Sequence, residues 1–340
     1  MAGGSYRQSG VDIDAGNEAV RRIKRLAQGT YTAGVLSGVG SFGGLFALDQ
    51  SVRDPVLVSS ADGVGTKLKL AFMTGVHDTI GADLVNHCVN DILVQGARPL
   101  FFLDYLATGR LSPDVAEQIV SGVARACREN GCALLGGETA EMPGFYADGE
   151  YDVAGFIVGV VSRTEIIDGR EIIRGDRLIA LPSSGLHTNG YSLARRIVFD
   201  DLRLTPESVI PELGETAAAA LLRTHRSYLP VIAPLLAGGR IKGMAHITGG
   251  GITENVPRAL PAGLDFTVDR QSWTVPPVFA WLQGAGRVSD TEMFRAFNMG
   301  VGLVIVAAAA HAEGLLTSLR SAGEPAWIFG EVISAGGTYG

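Results

Sequence analysis

The sequence has little of what marks secreted or membrane-bound proteins. It contains only 3 cysteines in 340 residues and no C-x-x-C pair, which argues against a disulfide framework and a cysteine zinc site. The longest apolar run, Val301 to Ala310, has about half the length of a membrane-spanning helix and is interrupted by Gly302. The amino terminus lacks an apolar signal-peptide core. We therefore expect a cytoplasmic protein without a membrane partner.

Positive charge is also scarce. The chain has 28 Lys and Arg residues against 35 Asp and Glu residues, a formal net charge of −7, which argues against a nucleic-acid partner. The densest basic cluster, Arg21 to Arg25, falls within a helical pattern, so we interpret most of it as a solvated helix face. The apolar content of 46% allows a large core, and the length allows two domains of ordinary size.

Common catalytic signatures are missing as well. The sequence has no G-x-x-x-x-G-K-[ST] phosphate loop, no G-x-S-x-G nucleophile turn and no H-E-x-x-H zinc helix. Glycine, in contrast, is abundant: its 46 residues are about twice the usual share of roughly 7%. The glycines cluster at predicted strand ends, as in residues 38–44, 136–137 and 249–251, where phosphate-binding turns are expected.

The hydrophobic pattern predicts an α/β fold (α+β) in two domains. Helical spacing predicts helices over 11–28, 78–95, 114–130, 191–200 and 253–260, and apolar runs predict strands ending at Ala61 and over 100–103, 132–135, 153–161, 177–181 and 244–248. The polar segment Glu165 to Asp176 is the best candidate boundary, so we predict domains over residues 1–168 and 169–340. Strand, Gly-rich loop and helix follow one another in both halves, which suggests loops that face a shared ligand cleft.

The stretch Asp62 to Lys67, DGVGTK, has the chemistry of a nucleotide site. Gly63 and Gly65 allow an anion to approach the backbone, Thr66 supplies a hydroxyl, Lys67 can neutralise phosphate, and the carboxylate of Asp62 can hold Mg²⁺. On its own this hexapeptide is a weak signal and is more typical of an ordinary Gly-rich turn. Lys67 either meets phosphate or only closes the turn.

More oxygen ligands lie in the same half. Asn90 and Asp91 interrupt the apolar stripe of the 78–95 helix, and Glu138 follows Gly136 and Gly137 at a predicted strand end. Taken singly, Asn90 and Asp91 are typical of hydrogen-bonded surface groups, and Glu138 is typical of a charge at a helix N-terminus. Oxygen ligands on three segments, each near a Gly-rich turn, are what a Mg²⁺-triphosphate site requires.

In the second half, the loop SSGLHTNG (183–190) precedes a helix and offers backbone N–H groups and hydroxyls to phosphate or ribose. Its residues His187, Thr188 and Asn189 are candidates for ligand contact. His187, and His246 just before TGGG (248–251), are possible general acids or bases. Single histidines are more often structural, but two in matching strand-to-loop positions favour function.

Eight longer motifs give a resemblance that covers residues 6–334 in order. They are GVDIDAGN (10–17), PVLVSSADGVGTKLKLA (55–71), HDTIGADLV (77–85), VNDILVQGARPLFFLDYLATG (89–109), GGETAEMPGFY (136–146), YDVAGF (151–156), SGLHTNGYSL (184–193) and HITGGGITENVPR (246–258). The chain resembles the phosphoribosylformylglycinamidine cyclo-ligases of purine biosynthesis. The resemblance implies ATP-dependent closure of formylglycinamidine ribonucleotide to aminoimidazole ribonucleotide, with ADP and phosphate released.

The resemblance also implies roles for individual residues. Asp62, Asp91 and Glu138 match acidic positions that handle Mg²⁺-ATP, and Lys24, Lys67, His187 and His246 match basic positions for nucleotide, phosphate or proton transfer. It implies an N-terminal mixed-sheet domain that dimerises, a C-terminal α/β domain, an ATP and substrate cleft between them, and a homodimer.

The sequence leaves other functions open. A selenophosphate synthetase or a thiamine-monophosphate kinase would share the acidic ATP site and activate a different acceptor. The first usually has an early cysteine, whereas the first cysteine here is Cys88. A non-catalytic nucleotide-binding subunit would keep the glycine loops and tolerate loss of the acids and histidines, all of which are present.

Overall fold

The computed structural model describes residues 10–336. The chain divides into two compact units, Met1–Ile92 with Arg98–Arg163, and Leu93–Ala97 with Thr164–Gly340. The short segment Leu93–Ala97 thus belongs to the second unit although its neighbours on both sides belong to the first. The domain boundary after residue 168 stays a prediction. Across 10–336, no helix combines the length and apolarity that crossing a membrane requires.

The first unit is a four-stranded sheet with helices. In chain order its elements are α1 (Ile13–Gln28), β1 (Pro55–Gly63), a 3₁₀ turn (Gly65–Lys67), α2 (Leu68–Thr74), α3 (Asp78–Leu93), β2 (Arg98–Thr108), α4 (Pro113–Glu129), β3 (Ala133–Glu141) and β4 (Tyr151–Ser162). The sheet order is β1-β4-β2-β3, and β2 with β3 is a parallel pair while the other two pairs are antiparallel.

Helices α3 and α4 supply much of the buried core of this unit. Ile80, Leu84 and Ile92 of α3 and Ile119 of α4 are almost completely buried. The two helices approach closely where glycine faces backbone, because a Cβ at Gly81 would overlap the carbonyl oxygen of Ile119. This close approach fixes the position of α3, and of the polar side chains on it, relative to α4.

The second unit is built on a five-stranded sheet. Its elements are β5 (Arg177–Pro182), α5 (Tyr191–Arg195), a π turn (Arg196–Asp201), β6 (Val209–Ile210), β7 (Glu215–Thr216), α6 (Ala217–Leu221), α7 (Leu229–Leu236), β8 (Ile241–His246), α8 (Gly251–Asn255), a 3₁₀ turn (Val256–Ala259), β9 (Leu264–Val268), α9 (Pro277–Gly286), α10 (Asp290–Ala296), β10 (Val301–Ala307), α11 (Ala309–Ser321) and β11 (Trp327–Ser334). The sheet order is β8-β10-β5-β11-β9, with antiparallel neighbours.

The apolar run that is too short for a membrane helix is strand β10, at the centre of this unit. Every residue of β10 is buried. Val304 and Val306 belong to an apolar cluster with Leu178 of β5, Ala245 of β8 and Phe329 of β11. An uninterrupted apolar strand fits a sheet position that is covered on both faces.

The predicted fold class is confirmed, and several element limits are wrong. Strand β1 continues through Asp62 and Gly63, and β3 continues through Gly136, Gly137 and Glu138, which were expected to form turns. These residues stay in the ladder because each has a strand partner. The helix predicted over 253–260 ends at Asn255 and continues as a 3₁₀ turn, since Pro257 cannot donate the next hydrogen bond.

Candidate active site

A group of carboxylates and one histidine lies at the edge strand β1. Asp62 projects from the end of β1, and its Oδ2 is 2.8 Å from Nε2 of His87 on α3. One turn later on α3, Asp91 has its Oδ2 4.0 Å from the same nitrogen and accepts a hydrogen bond from Ser60 Oγ at 2.9 Å. The structure therefore brings Asp62 and Asp91 together around His87.

The electrostatics of this group depend on its partial burial. Burial alone would lower the pKa of His87, but the hydrogen bond to Asp62 and the negative charges of Asp91, Asp62 and Asp83 outweigh it, so the pKa is raised. Burial would raise the pKa of Asp62, and the hydrogen bond and charge of His87 outweigh it, so this pKa is lowered. Both carboxylate side chains remain accessible, at 40% for Asp62 and 26% for Asp91. Charged, accessible oxygens suit a hard divalent cation.

The turn after Asp62 is exposed on one side and buried on the other. Gly65 takes a positive φ of 56°, which favours glycine, and Gly65 and Thr66 are exposed. Lys67 is different: it is completely buried, and its Nζ lies 2.7 Å from Oδ2 of the equally buried Asp83 on α3. Burial lowers the pKa of Lys67 against the opposing effect of Asp83. Lys67 thus ties the turn to α3, and its contact with phosphate stays a prediction.

The remaining predicted residues of the first unit are on α3, α1 and β3. Asn90 is buried on α3, and the exposed Lys24 of α1 reaches the glycine-rich segment, with its Nζ 3.7 Å from where a Cβ of Gly40 would lie. Gly136, Gly137 and Glu138 are on β3, the edge strand opposite β1.

Strand register separates Glu138 from Asp62. Asp62 and Asp104 both pair with Gly155, and Asp104 pairs with Gly137, so these residues share one row and one face of the sheet. Glu138 is in the next row and points to the opposite face. It also lies three strand spacings away, roughly 14 Å. Within this unit, the structure does not bring Glu138 to the ion that Asp62 and Asp91 would hold.

Asp104 is a further acid in this row. A Cβ at Gly137 would overlap the Asp104 carboxylate, which explains why glycine is needed at Gly137. Burial raises the pKa of Asp104 to about 7. Gly137 therefore makes room for a desolvated carboxyl group, and Gly136 and Gly137 continue the strand instead of forming a phosphate-binding turn.

In the second unit, three histidines form one buried cluster. His187 and His225 are completely buried, and His246 is 6% exposed. The rings of His187 and His225 are stacked, with centroids 3.9 Å apart and planes 18° apart. His225 Nε2 lies 3.0 Å from His246 Nε2, and its Nδ1 lies 3.3 Å from Oγ1 of Thr188. The two predicted histidine loops are thus joined through His225.

Backbone geometry shapes this cluster. His187 has a φ of 62°, which is unusual for a residue with a side chain and is found at functional sites. The Ser184 N–H donates to Nε2 of His187 at 3.2 Å. A Cβ at Gly302 of β10 would overlap the hydroxyl group of Tyr228 and lie 2.8 Å from Cε1 of His187. Glycine at this position allows the ring of His187 to lie against the sheet.

Asn189 lies beside the TGGG loop. A Cβ at Gly249 would lie 3.3 Å from Oδ1 of Asn189. The buried Nδ2 atom of Asn189 has no hydrogen-bond partner within residues 10–336. Since buried donors are almost always satisfied, this atom is suited to a ligand or a water molecule.

The three histidines offer ring nitrogens within 4.8 Å of one another, a spacing that a metal ion can use. Two features oppose that use. The N–H of Ser184 occupies the lone pair of His187 Nε2, which leaves the proton of a neutral ring on Nδ1. The parallel stacking of His187 on His225 also prevents both ring planes from meeting at one ion. Mg²⁺, which prefers oxygen, does not suit the cluster.

Sequence reasoning missed His225 and Asp83. His225 lies in the segment RTHRSY, which has no motif, so only the fold reveals its position between two predicted histidines. The contact of His87 with Asp91 could be predicted from the sequence, because His87 lies four residues before Asp91 on a predicted helix.

Comparisons with known proteins identify the family of the two units. The family model described as AIR synthase related protein, N-terminal domain, matches residues 33–161, and the corresponding C-terminal domain model matches residues 174–340. These matches cover most of the chain and place it in the AIR synthase related class.

Full-length relatives narrow this class. A phosphoribosylformylglycinamidine cyclo-ligase from Trichlorobacter lovleyi is 56% identical over 331 residues, which cover 97% of this chain and 95% of the relative. Another from Desulfitobacterium hafniense is 56% identical, with 97% of each chain covered. The chain belongs to the phosphoribosylformylglycinamidine cyclo-ligase family.

Solved structures share the fold at low identity. A thiamine-monophosphate kinase from Stenotrophomonas maltophilia has a TM-score of 0.69 at 19% identity and covers 95% of both chains. The hydrogenase maturation protein HypE in complex with ATP has a TM-score of 0.65 at 20% identity, over 98% of this chain and 88% of its own. These likenesses concern the fold alone.

Proposed function

We propose that the protein uses ATP to close formylglycinamidine ribonucleotide to 5-aminoimidazole ribonucleotide, releasing ADP and phosphate, in de novo purine biosynthesis. The observation that carries this proposal is the 56% identity to enzymes named for this cyclo-ligation over 97% of the chain. The accessible carboxylates of the first unit and the histidine cluster of the second supply the charge and proton chemistry that the reaction needs.

The reaction explains why these groups are required. An amide oxygen is a poor leaving group, so the γ-phosphoryl of ATP is transferred to the formamide oxygen. The amidine nitrogen then attacks the same carbon, the ring closes, and phosphate leaves with that oxygen. The protein contributes positioning and charge neutralisation, since phosphoryl transfer needs little covalent chemistry from it.

For the nucleotide, Asp62 and Asp91 are the proposed Mg²⁺ ligands. When bound, Mg²⁺ supplies neutralisation of phosphate charge. The mutual proximity and exposure of the two carboxylates fit a hard cation. Glu138 is proposed to act elsewhere on ATP, because its edge strand and face do not fit the same ion. Gly63, Gly65 and Thr66 would approach the phosphates, with Asn90 supporting the site from α3.

For proton transfer, His187 and His246 are the proposed acid and base groups, and Lys24 is a proposed phosphate contact because its exposed amine reaches the glycine-rich segment. Thr188 and Asn189 are proposed ligand contacts. The buried Asn189 Nδ2, which has no partner among residues 10–336, supports this role.

We also propose that two copies associate through the first unit. Leu57 of β1 and Phe156 of β4 are 58% and 45% exposed. The strand register places both on the sheet face opposite Asp62. A sheet face with exposed large apolar residues fits burial against a second copy. Light scattering should give twice the chain mass, and Leu57→Glu should shift it to the monomer. A monomeric wild type would contradict the homodimer.

A cytoplasmic location is part of the same proposal. The three cysteines are free and buried, as expected for a reducing compartment. Fractionation of cells that produce the protein should recover it with cytoplasmic markers.

One assay tests the reaction. The purified protein is mixed with Mg²⁺-ATP and formylglycinamidine ribonucleotide, and ADP and aminoimidazole ribonucleotide are measured together. We expect one ADP for each imidazole formed. ADP without imidazole would contradict cyclisation, and thiamine monophosphate in place of the ribonucleotide is the control for a kinase. Absence of substrate-dependent ADP would favour a nucleotide-binding subunit.

A further inference from the structure

His225 lies at the centre of the histidine cluster, between α6 and α7, and has contacts on three sides. Its ring stacks on His187, its Nδ1 faces the hydroxyl group of Thr188, and its Nε2 faces Nε2 of His246. It is completely buried. An apolar residue would fill such a place without polar atoms to satisfy, so the imidazole requires an explanation.

The contact with His246 restricts the protons of both rings. A neutral imidazole carries one proton on one of its two nitrogens. At 3.0 Å, the two Nε2 atoms form a hydrogen bond only when one of them carries a proton and the other does not. His225 and His246 must therefore adopt opposite tautomers.

Thr188 satisfies His225 in either case. If His225 donates from Nε2, its bare Nδ1 accepts from the Thr188 hydroxyl; if it accepts at Nε2, its Nδ1–H donates to the same oxygen. The hydroxyl group can do both. His225 thus has a complete set of partners, and each arrangement leaves Nδ1 of His246 in one defined state.

We propose that His225 is a positioning residue: through one proton shared between the two Nε2 atoms, it holds the ring orientation of His246 and keeps the tautomer of His246 opposite to its own, so that the protonation of His246 Nδ1 depends on His225. This inference rests on the proposed cyclisation, in which His246 acts as an acid or base. Groups that orient a histidine through its second nitrogen act in this way in other sites. Stacking of His187 on the same ring couples the two proposed histidines through one side chain.

Two variants separate the hydrogen bond from the filled space. His225→Leu keeps much of the volume and removes the polar atoms. His225→Gln retains a carboxamide that both donates and accepts, so it serves either tautomer of His246. His311→Gln, at the exposed His311 on α11, is the matched control. Each variant is checked by thermal unfolding before its kinetics are measured.

The kinetic result expected for His225→Leu is a kcat about 10- to 100-fold lower, part of the 10²–10⁴ that a whole acid or base contributes, with the KM for ATP unchanged. His225→Gln should recover most of the loss, and His311→Gln should equal the wild type. An unchanged kcat in His225→Leu would overturn the proposal. So would a folded His225→Gln as slow as His225→Leu.

A spectroscopic readout tests the pair without turnover. With ¹⁵N-labelled histidine, the 6 histidines can be resolved and His246 assigned by substitution. We expect His225 and His246 to show opposite tautomers in the wild type, and the tautomer populations of His246 to change in His225→Leu. The same spectrum of His246 in both proteins would contradict the pairing, as would one equivalent of zinc in the purified wild type that His225→Leu loses. If the wild type does not cyclise the substrate, the proposed function fails, while this spectrum still decides whether the pair exists.

Discussion

The two units hold their functional groups in opposite environments. In the first, the carboxylates of Asp62 and Asp91 lie at a sheet edge with 40% and 26% of each side chain exposed. In the second, the rings of His187, His225 and His246 are at most 6% exposed. Charged oxygens need water or a cation, whereas imidazoles can be buried as neutral groups when they bond to one another. The contrast fits the proposal that the exposed carboxylates handle phosphate charge and the buried histidines handle protons.

The largest effect should come from removing a charge at the exposed carboxylates. Asp62→Asn should lower turnover by about 10²–10³-fold, because it removes a proposed ligand of the cation that neutralises phosphate. Stability should change little, since the side chain is partly exposed. Steady-state kinetics at several Mg²⁺ concentrations check this. Asp54→Asn, at the exposed Asp54 that pairs with Arg163, is the control. Near-normal turnover at limiting Mg²⁺ would mean that Asp62 is not a metal ligand.

The buried ion pair of the first unit offers the next test. Lys67→Met should destabilise the protein by about 3–5 kcal/mol, because it leaves Asp83 charged and buried without its partner. Urea unfolding measures the loss. The double variant Lys67→Met with Asp83→Leu should regain most of it, since both buried charges are then gone. If Lys67→Met instead left stability intact and raised the KM for ATP, the phosphate role would be supported.

The buried histidines can be disturbed through the glycine beneath them. Gly302→Ala should cost about 1–3 kcal/mol, because its Cβ would meet Tyr228 and His187 in a packed interior. Gly314→Ala, within α11, places its Cβ in ordinary contact with the end of the Arg240 side chain at 3.6 Å and should instead stabilise by about 0.5–1 kcal/mol. Thermal unfolding of both variants gives the comparison. Equal effects would show that the histidine cluster is loosely packed.

The smallest effect concerns pH. The pKa of Asp104 is about 7 in the folded protein, above the unfolded value of about 3.9. Between these values the folded state binds more protons, so stability should fall as pH rises from about 4 to about 7. Asp104→Asn should flatten this slope, whereas Asp152→Asn, at the exposed Asp152 on β4, should leave it unchanged. Thermal unfolding across this range measures it. An identical slope in Asp104→Asn would contradict the raised pKa.

Periodicity predicted the long elements well. Helices α1, α3 and α4 lie within two residues of their predicted limits, because each has a clear apolar stripe and a recognisable start. Glycine was the source of error. Gly136 and Gly137 predicted a turn, but they continue β3, and the glycine at Gly137 leaves room for the side chain of Asp104 from the next strand. Only the strand register reveals such a reason.

The candidate sites were predictable where a motif is local. Asp62 and Asp91 could be named from the sequence, and the structure brings them together. Whether Glu138 lies near Asp62 and Asp91 could not be predicted, since the order of the strands in the sheet and the face to which each side chain points are tertiary properties. The role of His225 and the pairing of Lys67 with Asp83 were not predicted for the same reason. His225 is 21 residues from His246 and Lys67 is 16 residues from Asp83, and no local motif marks either pair.

The segment Leu93–Ala97 has a consequence for anyone who divides this protein into fragments. The Ile167 N–H donates to the carbonyl of Gln95 at 3.2 Å, so the start of the second unit is anchored by a piece of chain from before residue 98. A fragment beginning at Thr164 would lack the Gln95 carbonyl that accepts this hydrogen bond. A fragment ending at Arg163 would keep the carbonyl but lack the Ile167 N–H that donates to it. If the chain is produced as two fragments divided after Arg163, this hydrogen bond can therefore form only when both fragments are present together.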